Sequence, residues 1–187
     1  VITKDELNVE WYDENKTEFT ITTADELFEF ALLSSFYDFK GQTIKLGADI
    51  VVNEGDASEW GTAFPEKVWD KPIDSFAGTF DGQGHSIVGL YARGYNTKMA
   101  LFTNTKGSSH IKNVKLTNSY LESRGYGGVA GFVSGGGGKL EKLYSDAYLN
   151  VVGAYSGFAG GICSKIDLAA TIEECWFDGT IATTGRY

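Results

Sequence analysis

Three related hexapeptides limit this chain more than any other feature. Ile111-Lys112-Asn113-Val114-Lys115-Leu116 is echoed by Leu140-Glu141-Lys142-Leu143-Tyr144-Ser145 and again by Ile172-Glu173-Glu174-Cys175-Trp176-Phe177, at spacings of 29 and 32 residues. Ile87, in Ser86-Ile87-Val88-Gly89-Leu90, reads as an earlier member. A second series runs between them: Ala100-Leu101-Phe102, Gly128-Val129-Ala130-Gly131 and Gly157-Phe158-Ala159-Gly160, at offsets of 28 and 29 residues. Periods of this length mark repeat architectures. Each unit is two or three short strands with glycine at the corners, and one unit alone cannot bury its apolar side chains. Coiling stacks equivalent positions about 4.8 Å apart around one narrow core. The pattern lacks the Leu-x-x-Leu-x-Leu and Asn ladder of leucine-rich repeats, and a β-sandwich needs no repeated strand sequence. The expected fold is all-β, a right-handed parallel β-helix.

One helix is expected, near Thr23–Ser35. Thr23-Ala24-Asp25-Glu26 has the capping-box form, and Leu27, Phe30, Ala31 and Leu33 follow as an apolar stripe. Residues 1–40 then form an N-terminal cap, and residues 41–187 form the coils of a single domain. From Gly41 onward short strands alternate with turns, beginning at Thr43–Leu46 and Asp49–Val52. The 24 glycines, 2 prolines and 14% aromatic residues suit many turns and many strands. Glu54–Pro72 is a long loop, with Trp60 and Trp69 as its anchors.

The net charge of −9 and a pI near 4.7 argue against nucleic acid and anionic membrane as partners, since both need a basic face. They also argue against holding a polyanionic polysaccharide by bulk charge. No apolar run approaches the ~20 residues that span a bilayer. Val1-Ile2-Thr3-Lys4-Asp5 is neither a leader nor an initiator start, so a mature form or an excised fragment is expected. The strand after Ile172 has no evident cap, and further domains of the same polypeptide are expected. Cys163 and Cys175 are the only cysteines, too few for a disulfide scaffold. Cys175 takes the slot of Val114 and Leu143, which favours a buried thiol; pairing within the last coil is the alternative.

No catalytic constellation stands out, and no cofactor or metal site is expected. His85 lies in a turn and His110 precedes a strand, without a nucleophile elbow or metal-ligand spacing beside either. Asp81 precedes Gly82, the form of a turn whose carboxylate caps nearby amides. Arg93, Arg124 and Arg186 have no obvious acidic cluster one coil away. Asp49, Asn53, Glu54 and Asp56 lack the ordered spacing of a calcium loop. Gly135–Gly138 is not followed by the Lys-Ser/Thr and helix of a phosphate cradle.

Aromatic residues are the better candidates. Tyr91, Tyr95, Tyr120, Tyr126, Tyr144, Tyr148, Tyr155 and Trp176 recur through the coils. Tyr144 and Trp176 share a phase, each four residues after its repeat start. Tyr120 and Tyr148 differ in phase, at nine and eight residues. Stacked aromatics on an outer face can receive a sugar ring, with carboxylates taking its hydroxyls. Ordinary cross-strand stacking is the competing reading. The ligand candidates are therefore Tyr144, Trp176, Tyr148 and Tyr120.

Trp69-Asp70-Lys71-Pro72-Ile73 followed by Phe76-Ala77-Gly78-Thr79-Phe80-Asp81-Gly82-Gln83-Gly84-His85-Ser86-Ile87 resembles the opening segment of GLUG-repeat proteins. Gly128-Val129-Ala130-Gly131-Phe132 matches the G-G-V-A-G form of that family, whereas Ala100-Leu101-Phe102-Thr103 departs from its G-L-F-G form at both glycines. The resemblance covers about Phe19 to Thr184. It implies a pectin-lyase-like right-handed β-helix in a bacterial extracellular or cell-surface protein, with Thr23–Ser35 sealing the first coil. It further implies a non-catalytic surface module for adhesion or glycan binding, partnered by a glycan or a host or cell-surface protein. The alternatives are a polysaccharide lyase or glycoside hydrolase on the same scaffold, and a purely structural spacer. Gly84-His85-Ser86 does not match the Gly-His-Gly signature of the hydrolases.

Overall fold

A computed structural model of the chain describes residues 9–153, 157–167 and 169–184. The described residues wind into a parallel β-helix of about six turns with one α-helix among them. The first turn holds β1 (Glu18–Ile21) and α1 (Ala24–Leu33), and the second holds β2 (Thr43–Leu46) and β3 (Ile50–Val51). β4 (Thr79–Asp81), β5 (Ser86–Val88) and β6 (Tyr91–Tyr95) make the third; β7 (His110–Thr117), β8 (Tyr120–Arg124) and β9 (Val129–Ala130) the fourth. β10 (Lys139–Ser145), β11 (Tyr148–Val152) and β12 (Ala159–Gly160) follow, then β13 (Thr171–Glu173), β14 (Trp176–Phe177) and β15 (Thr180–Thr184). All pairings between these strands are parallel. The first sheet runs β1-β2-β4-β7-β10-β13 with β3, β5 and β14 continuing its face, and the second runs β6-β8-β11-β15.

The core is built of inward columns, one residue per turn. Phe19, Ile44, Phe80, Ile111, Leu140 and Ile172 stand in register across six turns. The first five of these are buried, whereas Ile172 is 42% exposed because no described strand lies beyond β13. A second column runs Ala92, Leu121, Leu149, Ile181 and ends the same way. Helix α1 covers the opposite end, burying Leu27, Phe30, Ala31 and Leu33, with the Phe30 ring stacked 5.8 Å from that of Phe80.

The expected capping box is present: Glu26 N donates to Thr23 Oγ1 at 3.2 Å, and Thr23 N donates to Glu26 Oε2 at 3.0 Å. Replacing a capping threonine by alanine typically costs about 1 kcal/mol. Thr23→Ala is expected to lower the thermal midpoint by about 2–4 °C. Calorimetry checks this, and an unchanged midpoint contradicts it.

Four details differ from the sequence expectation. Residues 1–40 are not only a cap, because β1 is a full member of the first sheet. Ile111 pairs with Phe80, while Ile87 pairs with Leu116, so Ile87 belongs to the second half of its strand. The glycine series is shifted by one: Ala159 pairs with Val129 and Gly160 with Ala130. Gly131 then faces Gly161, whose missing side chain makes room for the Phe177 ring. Tyr120 and Tyr148 are in register despite their different phases. The extra residue is absorbed at the corner, where Asn118 adopts a φ of 46°.

The loop after Val52 replaces a strand of the second sheet. Trp60 and Trp69 anchor it, 4% and 0% exposed, and Trp69 Nε1 donates to the Ala100 carbonyl at 3.1 Å. Asn53 closes its base: Nδ2 donates to the carbonyls of Lys67 and Gly89 at 2.8 and 2.9 Å, and Oδ1 accepts from Lys67 N at 3.0 Å.

Candidate functional site

From the third turn on, the first-sheet face bends at a residue in the left-handed region. In successive turns these are Gln83, Asn113, Lys142 and Glu174, with φ of 51°, 54°, 53° and 52°. Beside this column stands another, Ser86, Lys115, Tyr144 and Trp176, in register from turn to turn. Between the two lies an open groove of about 680 Å³.

Tyr144 is half-buried and Trp176 is 68% exposed. Neither ring packs on another aromatic ring among the described residues. Partial burial, reinforced by Asp146 and Asp178, raises the Tyr144 hydroxyl above its usual pKa, so it is a neutral donor and acceptor at physiological pH. Asp81 lies at one end of the groove. Its Oδ1 accepts from Gln83 N at 2.9 Å and from Asn113 Nδ2 at 3.0 Å, and Lys112 Nζ is 3.5 Å from Oδ2. Burial opposes its ionisation, but these bonds and the lysine charge prevail and lower its pKa. It acts as the turn cap that Asp-Gly implies.

The four aromatic candidates fall on two faces. Tyr144 and Trp176 meet at the groove, whereas Tyr120 and Tyr148 lie on the second sheet. Tyr120 is not a surface residue: it is 7% exposed, stacked on Tyr91 at 5.9 Å and covered by the loop bearing Ala57 and Trp60. Tyr148 is half-buried against the same cluster. The loop hides the face that strand alternation alone assigns to solvent. Tyr155 and Arg186 lie outside the described residues.

The sequence reading missed a charged cluster beside these tyrosines. Glu122, 1% exposed, faces Arg93 one turn away in register. Its carboxylate accepts from Arg93 Nε at 2.5 Å, Arg124 Nε at 2.5 Å, Tyr120 Oη at 2.7 Å and Asn150 Nδ2 at 2.9 Å. Arg93 therefore has an acidic partner one coil away, and Arg124 has the same partner two residues away on its own strand. The sequence shows no acidic cluster there, and a single carboxylate does the pairing. The signal was the 29-residue spacing of Arg93 and Glu122, equal to one coil. Burial disfavours the charged carboxylate, but hydrogen bonds from Arg93, Arg124 and Tyr120 outweigh it and hold the pKa down to about 2. The cluster is a clamp: Glu122 takes bonds from both arginines, and Arg93 also donates to the Gly61 carbonyl at 3.4 Å and lies 4.8 Å from the Phe64 ring.

The remaining titratable groups are dispersed. His85 Nδ1 lies 3.2 Å from Asp49 Oδ1, and His110 Nε2 lies 2.8 Å from Glu141 Oε2. Asp49 accepts from Ser86 N, Asn53 closes the loop and Asp56 caps the turn at Ala57–Glu59, so this set does not converge on one point. Among the described residues no three His, Cys, Asp or Glu side chains gather as a metal site. Cys163 and Cys175 are free, half-buried thiols packed against the core, and burial raises the pKa of both. Among the described residues no helix is long and apolar enough to cross a membrane.

Fold and groove together define a β-solenoid with an open aromatic groove on its first sheet. No protein-family model, no curated protein and no solved structure matches the chain.

Proposed function

We propose that the chain is a non-catalytic glycan-binding module of a secreted or cell-surface bacterial protein, related to the GLUG-repeat proteins, and that its groove receives sugar rings on Tyr144 and Trp176. One observation carries the reading. These two aromatics stand one turn apart in the same column, line one groove and have no ring partner of their own. An exposed indole face left unstacked suits the apolar face of a pyranose. Gln83 and Asn113 line the same groove; their amide nitrogens are engaged by the Leu46 carbonyl and Asp81, and their amide oxygens can accept from hydroxyl groups. Adhesion to a glycan-bearing surface follows from the same contacts.

Affinity electrophoresis against a panel of plant, fungal and host polysaccharides tests the proposal. Trp176→Ala is expected to weaken retardation about tenfold, the effect of losing one sugar-stacking ring. Tyr144→Ala is expected to act in the same direction. Unchanged retardation in both variants sinks the groove reading. Release of reducing ends or unsaturated uronides by the unmodified protein replaces it with the lyase or hydrolase reading. No retardation by any polysaccharide leaves the spacer.

A further inference from the structure

We infer that the sugar chain taken by this groove is acidic, carrying a carboxylate or sulfate that meets Lys115 and Lys142; this rests on the glycan reading above. The chain has 25 acidic residues against 16 Lys and Arg, so carboxylates outnumber the cations that could meet them. Elsewhere on the first sheet lysines are paired. Lys45 lies 2.6 Å from Glu18, Lys112 3.5 Å from Asp81, and Lys139 3.3 and 3.0 Å from Glu141 and Glu173. Lys115 and Lys142 differ from these. Both line the groove, both are exposed, and among the described residues neither has a carboxylate within 4.0 Å. Asp49 exerts a longer-range pull on Lys115 but is already engaged by Ser86 N at 2.8 Å and His85.

Placement ties the two ammoniums to the aromatic pair. Lys115 precedes Tyr144 by one turn in the same column, about 4.8 Å along the solenoid axis. Lys142 stands two residues before Tyr144 on the same strand. A sugar lying on Tyr144 thus has an ammonium within side-chain reach from two directions. Of the carboxylates that line the groove, Asp81 is held by Lys112, Asn113 and Gln83, which leaves Glu174 alone against two lysines. The overall charge of −9 repels polyanions at long range. That repulsion is screened beyond about 8 Å at physiological salt, whereas a direct contact is not. The column direction lays the sugar chain along the solenoid axis, from Lys115 over Tyr144 to Trp176.

The test uses β-1,4-glucan, α-1,4-galactan and β-1,4-mannan oligosaccharides, each as neutral, C6-oxidised and C6-sulfated forms, titrated calorimetrically against the whole chain. At least one acidic form is expected to bind about tenfold tighter than the neutral form of its backbone, with the difference shrinking in high salt. Lys115→Ala/Lys142→Ala is expected to abolish that preference. Lys45→Ala/Lys139→Ala, with the same change in net charge outside the groove, is expected to keep it. Preference for the oxidised or the sulfated arm decides between uronate and sulfate ester. Equal binding of neutral and acidic forms, lost in Trp176→Ala, overturns the acidic assignment and leaves the glycan reading standing. A preference that survives Lys115→Ala/Lys142→Ala overturns the assignment as well. Absence of binding by every form overturns both.

Discussion

Glu122→Gln is expected to destabilise the fold by about 3 kcal/mol at neutral pH, because breaking a buried ion pair strands the opposite charges. Glutamine keeps the shape but removes the charge that two guanidiniums share. Arg93 is then held beneath the loop at Gly61 and Phe64, beside Arg124, with no counter-ion. For a chain of this size the loss corresponds to a fall of about 6–12 °C in the thermal midpoint. The acid limb gives an independent readout. The folded Glu122 pKa of about 2 is depressed from 4.5. Its contribution is therefore fully present above about pH 4.5 and is lost as the pH falls through the folded pKa. The loss amounts to about 3 kcal/mol across that window. In Glu122→Gln this component of the acid limb disappears, and only the slopes from carboxylates such as Asp81, Asp38 and Glu26 remain. Unfolding by urea at pH 7 and at pH 3 makes the comparison. Parallel pH profiles for the two proteins show that the Glu122 cluster is not the clamp described.

Gly89→Ala is expected to be as damaging, for an unrelated reason. Gly89 has a φ of 75°, where any other residue pays about 1–2 kcal/mol. A Cβ there runs into the backbone carbonyl of Asn53, which closes the long loop through Lys67. Backbone cannot swing aside as a side chain can, so overpacking adds about 1–3 kcal/mol. The sum is a loss of about 3 kcal/mol, with the loop base opened. Gly41→Ala is the control: φ is 78°, but nothing lies within 4 Å of the added carbon. It is expected to lose only the conformational part, about 1–2 kcal/mol. Equal losses in the two variants contradict the contact with Asn53. Amide exchange supplies the spatial readout, with protection falling at Lys67 and Val52 in Gly89→Ala alone.

Both results concern the region where sequence and structure part company. The helix at Thr23 was legible because its signals are local: a capping threonine, a glutamate three residues on and an apolar stripe. The stack of coils was legible because identical slots must be filled identically, turn after turn. Tyr144 over Trp176 followed from that rule, since both sit at the same distance from an aligned strand start. Register across the corners was not legible. The chain adds a residue at the corner where Asn118 takes a left-handed turn, and a period counted along the sequence then slips. Tyr120 and Tyr148 were placed out of phase in this way, while Ile87 was matched to the wrong half of its strand and the glycine series to the wrong offset.

By itself, then, the sequence determined a repeating all-β coil sealed by one helix, because period, capping and apolar alternation are written in neighbouring residues. Tertiary structure decided which outward side chains meet solvent. The long loop carries no repeat that betrays where it lies, and it folds back over Tyr91 and Tyr120 while leaving Tyr144 and Trp176 open. It likewise decided which charges are satisfied. Glu122 finds Arg93 across one turn, and Lys115 and Lys142 find no carboxylate among the described residues. Such pairings depend on distances between turns, which only the wound chain sets.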